Sequence, residues 1–236
     1  MNIREVYINW KYVPEDYYVR DIETLRSMTS CVFHSPVTFF AGENGTGKST
    51  LLEAIATAYG FNPEGGSMNY SFSTYDSHSE LSHALTVVKD PYAEKYGYFL
   101  RAESFYNVAT AEEMNYSDIL HPSMKLHAKS HGESFLAIME KYMDNSGMFI
   151  LDEPEAALSQ QRQMTLLMYM HNAVKQGAQF IIATHSPILL AYPDAEILSF
   201  DDGYIHPVNY EETDSYQITK LFVNNRDYIL KKLFEE

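Results

Sequence analysis

The segment Gly42-Glu43-Asn44-Gly45-Thr46-Gly47-Lys48-Ser49 constrains this chain more than any other. It fits G-x-x-x-x-G-K-[ST] and lies between a short β-rich run, Val37 to Ala41, and a good helix former, Lys48 to Ala56. Strand, glycine-rich loop and helix in that order form a cradle for phosphates. Glycines let the backbone curl so that successive N–H groups point inward. The helix starting near Lys48 adds the positive end of its dipole. Lys48 balances charge on the β- and γ-phosphates of a nucleotide. Ser49 offers its hydroxyl to Mg²⁺, an ion that keeps most of its water. Thr50 is a further, weaker phosphate contact.

A second motif lies a hundred residues on. Met148 to Leu151 is a continuous apolar strand followed by Asp152, Glu153 and Pro154. Unbroken apolar runs point to burial on both faces, as in a parallel sheet. Such a strand delivers its carboxylates to the C-terminal edge, where ligands sit in open α/β sheets. Asp152 is the candidate for the Mg²⁺ shell. Glu153 is placed to take a proton from an attacking water, or to orient it.

The rest of the chain fits the same class. Ile3 to Asn9, Tyr96 to Ala102 and Ala178 to Thr184 read as strands, and residues 60 to 80 as loops. Glu133 to Met143 is amphipathic, with Phe135, Ile138, Met139 and Tyr142 on one face. Gln160 to Lys175 is a helix with Met164, Leu167, His171 and Val174 expected inward, stopped by Gly177. Ile197 to Phe200 and Tyr204 to Val208 read as a hairpin around Asp201-Asp202-Gly203. The tail from Ser215 is helical, with a break near Asn224-Asn225. Strands alternating with helices predict an α/β fold with a mostly parallel central sheet flanked by helices, in a single domain over 1–236.

Composition narrows the partners. With 17 Lys and Arg against 32 Asp and Glu, the formal charge is −15. Long-range repulsion then disfavours non-specific coating of nucleic acid, leaving only a confined basic patch compatible with it. The single cysteine, Cys31, excludes an intrachain disulfide, fits a reducing cytosol and reads as a small buried apolar residue. No apolar run has the length of a membrane span, and the first residues lack a secretory h-region, so a cytoplasmic protein is expected.

Taken together, the phosphate loop, Ser130-His131-Gly132-Glu133-Ser134, Leu151-Asp152-Glu153-Pro154, Ala157-Leu158-Ser159 and Thr184-His185-Ser186 resemble the ABC-type ATPase head. More closely, the chain is similar to small stand-alone predicted bacterial ATPases, often labelled AAA-family, near the SMC, RecF and OLD-like branch. Arg101 to Phe105 and Ala183 to Ala191 share in the resemblance. It implies a P-loop ATPase that binds ATP and Mg²⁺ and dimerises around them. Ser130, Gly132 and Glu133 would stand where ABC proteins carry their signature, facing the γ-phosphate of ATP held by a second protomer. His131 replaces the signature's usual first glycine. Ala157-Leu158-Ser159 would be the D-loop, and His185 the switch histidine that senses γ-phosphate.

Between Lys48 and Ser130 there is no glutamine, although ABC heads place one there to reach metal and water. Glu103 is the candidate replacement at the metal; the alternative is a structural pairing with Arg101 or another cation. Only 82 positions separate Lys48 from Ser130, with no sustained heptads, so the resemblance implies a head without coiled-coil arms. The function expected is an ATPase driving or gating an unidentified protein partner, in a process such as nucleic-acid maintenance or defence. A slow ATP-gated recruiting clamp and a transporter cassette are the alternatives.

Overall fold

The computed structural model describes residues 1–68, 81–93, 95–101, 130–143 and 146–235. Its centre is a seven-stranded sheet ordered β10-β9-β3-β8-β7-β6-β4. The strands are β3 (Val37–Ala41), β4 (Gly66–Ser67), β6 (Gly97–Arg101), β7 (Met148–Asp152), β8 (Gln179–Ala183), β9 (Glu196–Ser199) and β10 (His206–Pro207). β9, β3, β8, β7 and β6 run parallel, and the edge strands β10 and β4 run antiparallel. Every residue of β3, β7 and β8 is buried, including the polar Thr38, Asp152 and Gln179, as expected of strands covered on both faces.

Alternation along these strands splits the core in two. Phe40, Phe99, Ile150 and Ile181 face helix α2 (Lys48–Tyr59) through Leu51, Leu52 and Ile55. That layer continues into a small antiparallel sheet, β2-β1-β5, made of Ser30–Val32, Ile3–Ile8 and Leu85–Lys89. Phe39, Tyr98, Phe149, Leu151, Phe180 and Ile182 face the other way. Helices α4 (His131–Tyr142) and α5 (Gln160–Lys175) cover them with Phe135, Ile138, Leu166 and Met170. Short helices α1 (Glu23–Ser27), α3 (Leu81–Ala84) and α6 (Pro187–Leu190) fill the connections. The chain ends in α7 (Asp214–Asn224) and α8 (Arg226–Phe234), the expected break falling at Asn225, and neither helix buries a residue.

The expected hairpin around Asp201-Asp202-Gly203 forms as β9 and β10, and the amphipathic face of α4 packs inward as read. Cys31 is buried in β2, and burial pushes its thiol up to about 12, helped by Glu196 and Glu5. The small antiparallel sheet was not expected. The inward face of α5 is corrected. Gln163, Leu166, Met170 and Ala173 are buried, whereas Met164 is 52% exposed and His171 lies outside. The helix is turned by one residue, about 100°, leaving Leu167 and Val174 at the edge of the core. Gln163 tips the choice: its side chain is satisfied inside, donating to Leu158 O at 3.0 Å and accepting from Ser186 Oγ at 2.6 Å.

This placement separates two substitutions that look alike in sequence. Leu166→Ala should cost about 2–5 kcal/mol, and Met164→Ala less than about 0.5 kcal/mol. Urea denaturation of the two variants checks the difference.

Candidate functional site

Parallel strands put the C-terminal ends of β3, β6, β7, β8 and β9 on one edge, and the phosphate loop leaves from β3 there. Gly42, Gly45 and Gly47 have φ of +139°, +84° and +96°, the left-handed region that glycine enters freely. Glu43, Asn44 and Gly45 are exposed, and Thr46 Oγ donates to Glu43 O at 2.9 Å. Lys48, 5% exposed, turns back into the loop and donates to the carbonyls of Gly42 and Glu43, each at 2.7 Å. Burial pulls its pKa down, while Glu153, Asp201, Asp152 and Glu43 pull it back up. Gly47 is needed for a second reason. A Cβ there would lie 2.8 Å from Ile22 and 2.9 Å from Leu25, which pack against the loop.

Asp201, at the end of β9, accepts from Glu43 N–H at 2.9 Å and sets the start of the loop. Sequence reasoning assigned this residue to a turn, because only the β3–β9 pairing brings it to the loop. Thr50, one residue past the loop, lies near Tyr18, whose pKa burial raises and Thr50 pulls back. A cavity of about 370 Å³ opens beside the loop between Glu43, His185, Asp201 and Thr213. Its lining stops short of Lys48 and Ser49 and is rich in carboxylates, including Asp202 and Asp214.

The second cluster of charges sits at the end of β7. Ser49 Oγ donates to Asp152 Oδ1 at 2.8 Å, joining the start of α2 to the buried carboxylate. Arg101 bonds Glu53 at 2.7 Å and lies 3.7 Å from Asp152, so Asp152 is held between a hydroxyl and a cation. A hydroxyl oxygen next to a carboxylate oxygen suits a hard cation such as Mg²⁺, which needs one or two protein oxygens and completes its shell with water and phosphate. Glu103, expected at the metal, lies outside the described residues. Among the described residues, Arg101 pairs with Glu53 and Asp152.

Glu153 has φ +47° and ψ +52°, a left-handed conformation that costs a non-glycine residue about 1–3 kcal/mol. Its N–H donates to Ala183 O at 2.9 Å, and this bond across β8 holds the turn. The strained turn brings the Glu153 carboxylate within 4.0 Å of His185 Nε2, both side chains remaining partly open to solvent. His185 N–H donates to Glu155 at 2.5 Å, and Ser186 caps the helix that follows.

Ser130, Gly132 and Glu133 form a separate group at the start of α4. Ser130 N–H and Oγ both donate to Glu133 Oε2, at 2.9 and 2.7 Å. Arg162, from α5, donates to Ser130 Oγ at 3.2 Å and lies 3.2 Å from Glu133 Oε1. A Cβ on Gly132 would lie 2.9 Å from Ala157 O, so this loop packs tightly on the Ala157–Ser159 turn. The structure thus brings Lys48, Ser49, Asp152, Glu153 and His185 to one edge and gathers Ser130, Gly132 and Glu133 with the Ala157 turn. Arg162 was missed at the sequence level, since its neighbours lie some thirty positions away.

A phosphate loop after β3 and a carboxylate pair at the end of β7, with β8 between them in a mostly parallel sheet, make a P-loop fold of the kind seen in ABC and SMC heads. Residues 21–187 match the family described as an AAA domain, and the chain belongs to that family. Two curated relatives, the ribose import ATP-binding proteins RbsA of two Bacillus cereus strains, are each 23% identical over 205 residues. The match takes in 77% of this chain but 41% of theirs, so the chain spans less than half the length of these relatives. Among solved structures, cbiO1 from Clostridium perfringens, part of the ABC transporter complex cbiONQ, is similar in fold. Its TM-score is 0.54 at 14% identity, over 98% of this chain and all of that one. The SMC head domain from Thermotoga maritima aligns over 89% of this chain and all of its own, at 16% identity and a TM-score of 0.46. Among the described residues, no helix is long and apolar enough to cross a membrane.

The tight seat of Gly47 can be tested without any ligand. Gly47→Ala combines a disfavoured φ with overlap on Ile22 and Leu25, and should cost about 1–3 kcal/mol. A lowered denaturation midpoint with an unchanged denaturant slope is the expected result.

Proposed function

We propose that residues 1–236 form a single ABC-type ATPase domain that binds Mg·ATP and hydrolyses it to ADP and phosphate between two facing protomers. The observation that carries this reading is the Ser49–Asp152 hydrogen bond, beside Lys48 in the loop and a Glu153 carboxylate turned toward His185.

In this reading the loop N–H groups of Gly45 to Ser49 and the Lys48 ammonium bind the β- and γ-phosphates. Ser49 and Asp152 hold Mg²⁺, which spreads the charge of the phosphate oxygens when bound. Lys48 exchanges its bonds with the Gly42 and Glu43 carbonyls for phosphate oxygens. Glu153 accepts the proton of the attacking water, or orients that water in line with the γ-phosphate. His185, at the end of β8, donates to the γ-phosphate. Ser130, Gly132 and the N-terminus of α4 from the second protomer close the site from the other side. ATP then links two copies, and hydrolysis loosens them. Glu103 belongs to this reading as a further metal contact.

The dimer works on a protein partner in the cytoplasm. Any nucleic acid binds locally and in a salt-sensitive way, given the −15 charge. The second reading, a transporter cassette, is favoured by the ribose import relatives; co-purification with a membrane protein would select it.

Two substitutions test the site. Lys48→Ala removes charge-assisted contacts of roughly 1.5–3 kcal/mol each, and calorimetry should then detect no ATP binding. Unchanged affinity overturns the assignment. Glu153→Gln keeps the shape but cannot take the proton. It should bind ATP, hydrolyse it at least about a hundredfold more slowly, and accumulate as a dimer on a sizing column. Hydrolysis at the parent rate would remove Glu153 from the reaction.

A further inference from the structure

Ser130 and Glu133 form a capping box that satisfies the start of α4, but it sets a carboxylate where the proposed reaction brings phosphate. Glu133 carries a carboxylate at the start of α4, where its side chain is 54% exposed. An approaching triphosphate is repelled by that charge, although the helix N-terminus attracts it. The hydroxyl proton of Ser130 is committed to the same carboxylate, since Ser130 Oγ donates to Glu133 Oε2 at 2.7 Å. As it stands, this end of the helix is poorly suited to receive γ-phosphate.

Arg162 offsets the charge and adds a second contact to the serine, whose proton stays on Glu133. One guanidinium nitrogen donates to Ser130 Oγ at 3.2 Å, and the other lies 3.2 Å from Glu133 Oε1. The planar fork therefore spans the serine and the carboxylate, a two-point contact that a lysine cannot reproduce. Gly132 leaves the room for it: a Cβ there would lie 2.5 Å from Arg162 Nη1. Arg162 also lies one turn into α5, the helix capped by Ser159. Its guanidinium thus couples the Ser130 loop to the Ala157–Ser159 turn.

We propose that Arg162 is the positioning residue of the shared site. It cancels the Glu133 charge and locks Ser130, so that the N-terminus of α4 can face the γ-phosphate of ATP bound to a second copy of this chain. This rests on the reading of an ATP-linked dimer. Arg162 then governs association of protomers and not the capture of ATP by a single one.

The test uses the full chain carrying Glu153→Gln, with ATP and Mg²⁺, and follows dimer formation by analytical ultracentrifugation. Labelled-ATP titration of dilute protein reads the affinity of single protomers. Arg162→Met should raise the protein concentration for half-dimerisation about tenfold or more, with single-protomer ATP affinity unchanged. Adding Glu133→Gln to Arg162→Met should restore dimerisation to within about threefold of the parent, because the charge to be cancelled is gone. A merely structural role predicts no such rescue. If Arg162→Met melts early, Glu133→Gln alone decides: it should dimerise at lower concentration than the parent, and weaker dimerisation overturns the proposal. A parent that never dimerises with ATP overturns the shared-site reading and this inference together. A parent that dimerises, with Arg162→Met dimerising equally well, overturns the inference alone.

Discussion

The parallel alignment of β3, β8 and β7 is the constraint on which the site depends. Because the strands point the same way, their C-terminal ends emerge together. Gly42 follows β3, Asp152 and Glu153 end β7, and Thr184 and His185 follow β8. The backbone hydrogen bonds of the sheet fix that register before any side chain at the edge makes a contact. Phe40 and Ala183 are paired in register, as are Asp152 and Ala183, so Gly42, Asp152 and His185 lie within two residues of one level. The strain at Glu153 is tolerated for the same reason. Its N–H is held by Ala183 O, and the buried strand behind it leaves the turn no other course.

Charge at this edge is arranged in pairs rather than as a uniform field. Lys48 sits among backbone carbonyls, and Arg101 sits between Glu53 and Asp152. Each cation is largely withdrawn from solvent, so its field is less screened than that of a surface residue. The cavity beside the loop gathers carboxylates instead, Asp201, Asp202 and Asp214 among them. Within a molecule of net charge −15, Lys48 has four carboxylates about it, those of Glu153, Asp201, Asp152 and Glu43.

The Ser130 group follows a different logic. It is built on α4 and α5, helices that cover the face of the sheet opposite to α2. One layer therefore carries the phosphate loop. The other carries the helix start assigned above to a neighbour's phosphate. The sheet between them is packed with side chains on both faces, and at its edge His185 N–H donates to Glu155 beside the Ala157 turn.

The phosphate loop, the Asp152–Glu153 pair and the buried strands were legible in the sequence because each is local. Glycine spacing dictates a backbone path, and four consecutive apolar residues dictate a strand covered on both sides. The hairpin around Asp201 and the break at Asn225 were legible for the same reason. The facing of α5 was not, since two stripes one residue apart both repeat with helical period. The buried amide of Gln163, satisfied by Leu158 and Ser186, decided between them. Asp201 at the loop, Arg162 at Ser130 and the second sheet were likewise invisible. Their partners lie between 32 and 158 positions away for the two side chains, and the strands of the second sheet come from opposite ends of the first ninety residues. The sequence by itself determined the glycine path of the loop and the strand that carries Asp152 and Glu153, because both depend on residue type and short spacing. Which charges surround them was decided only by the tertiary structure, because electrostatic neighbours are set by strand order and helix rotation, and neither is written in any local pattern.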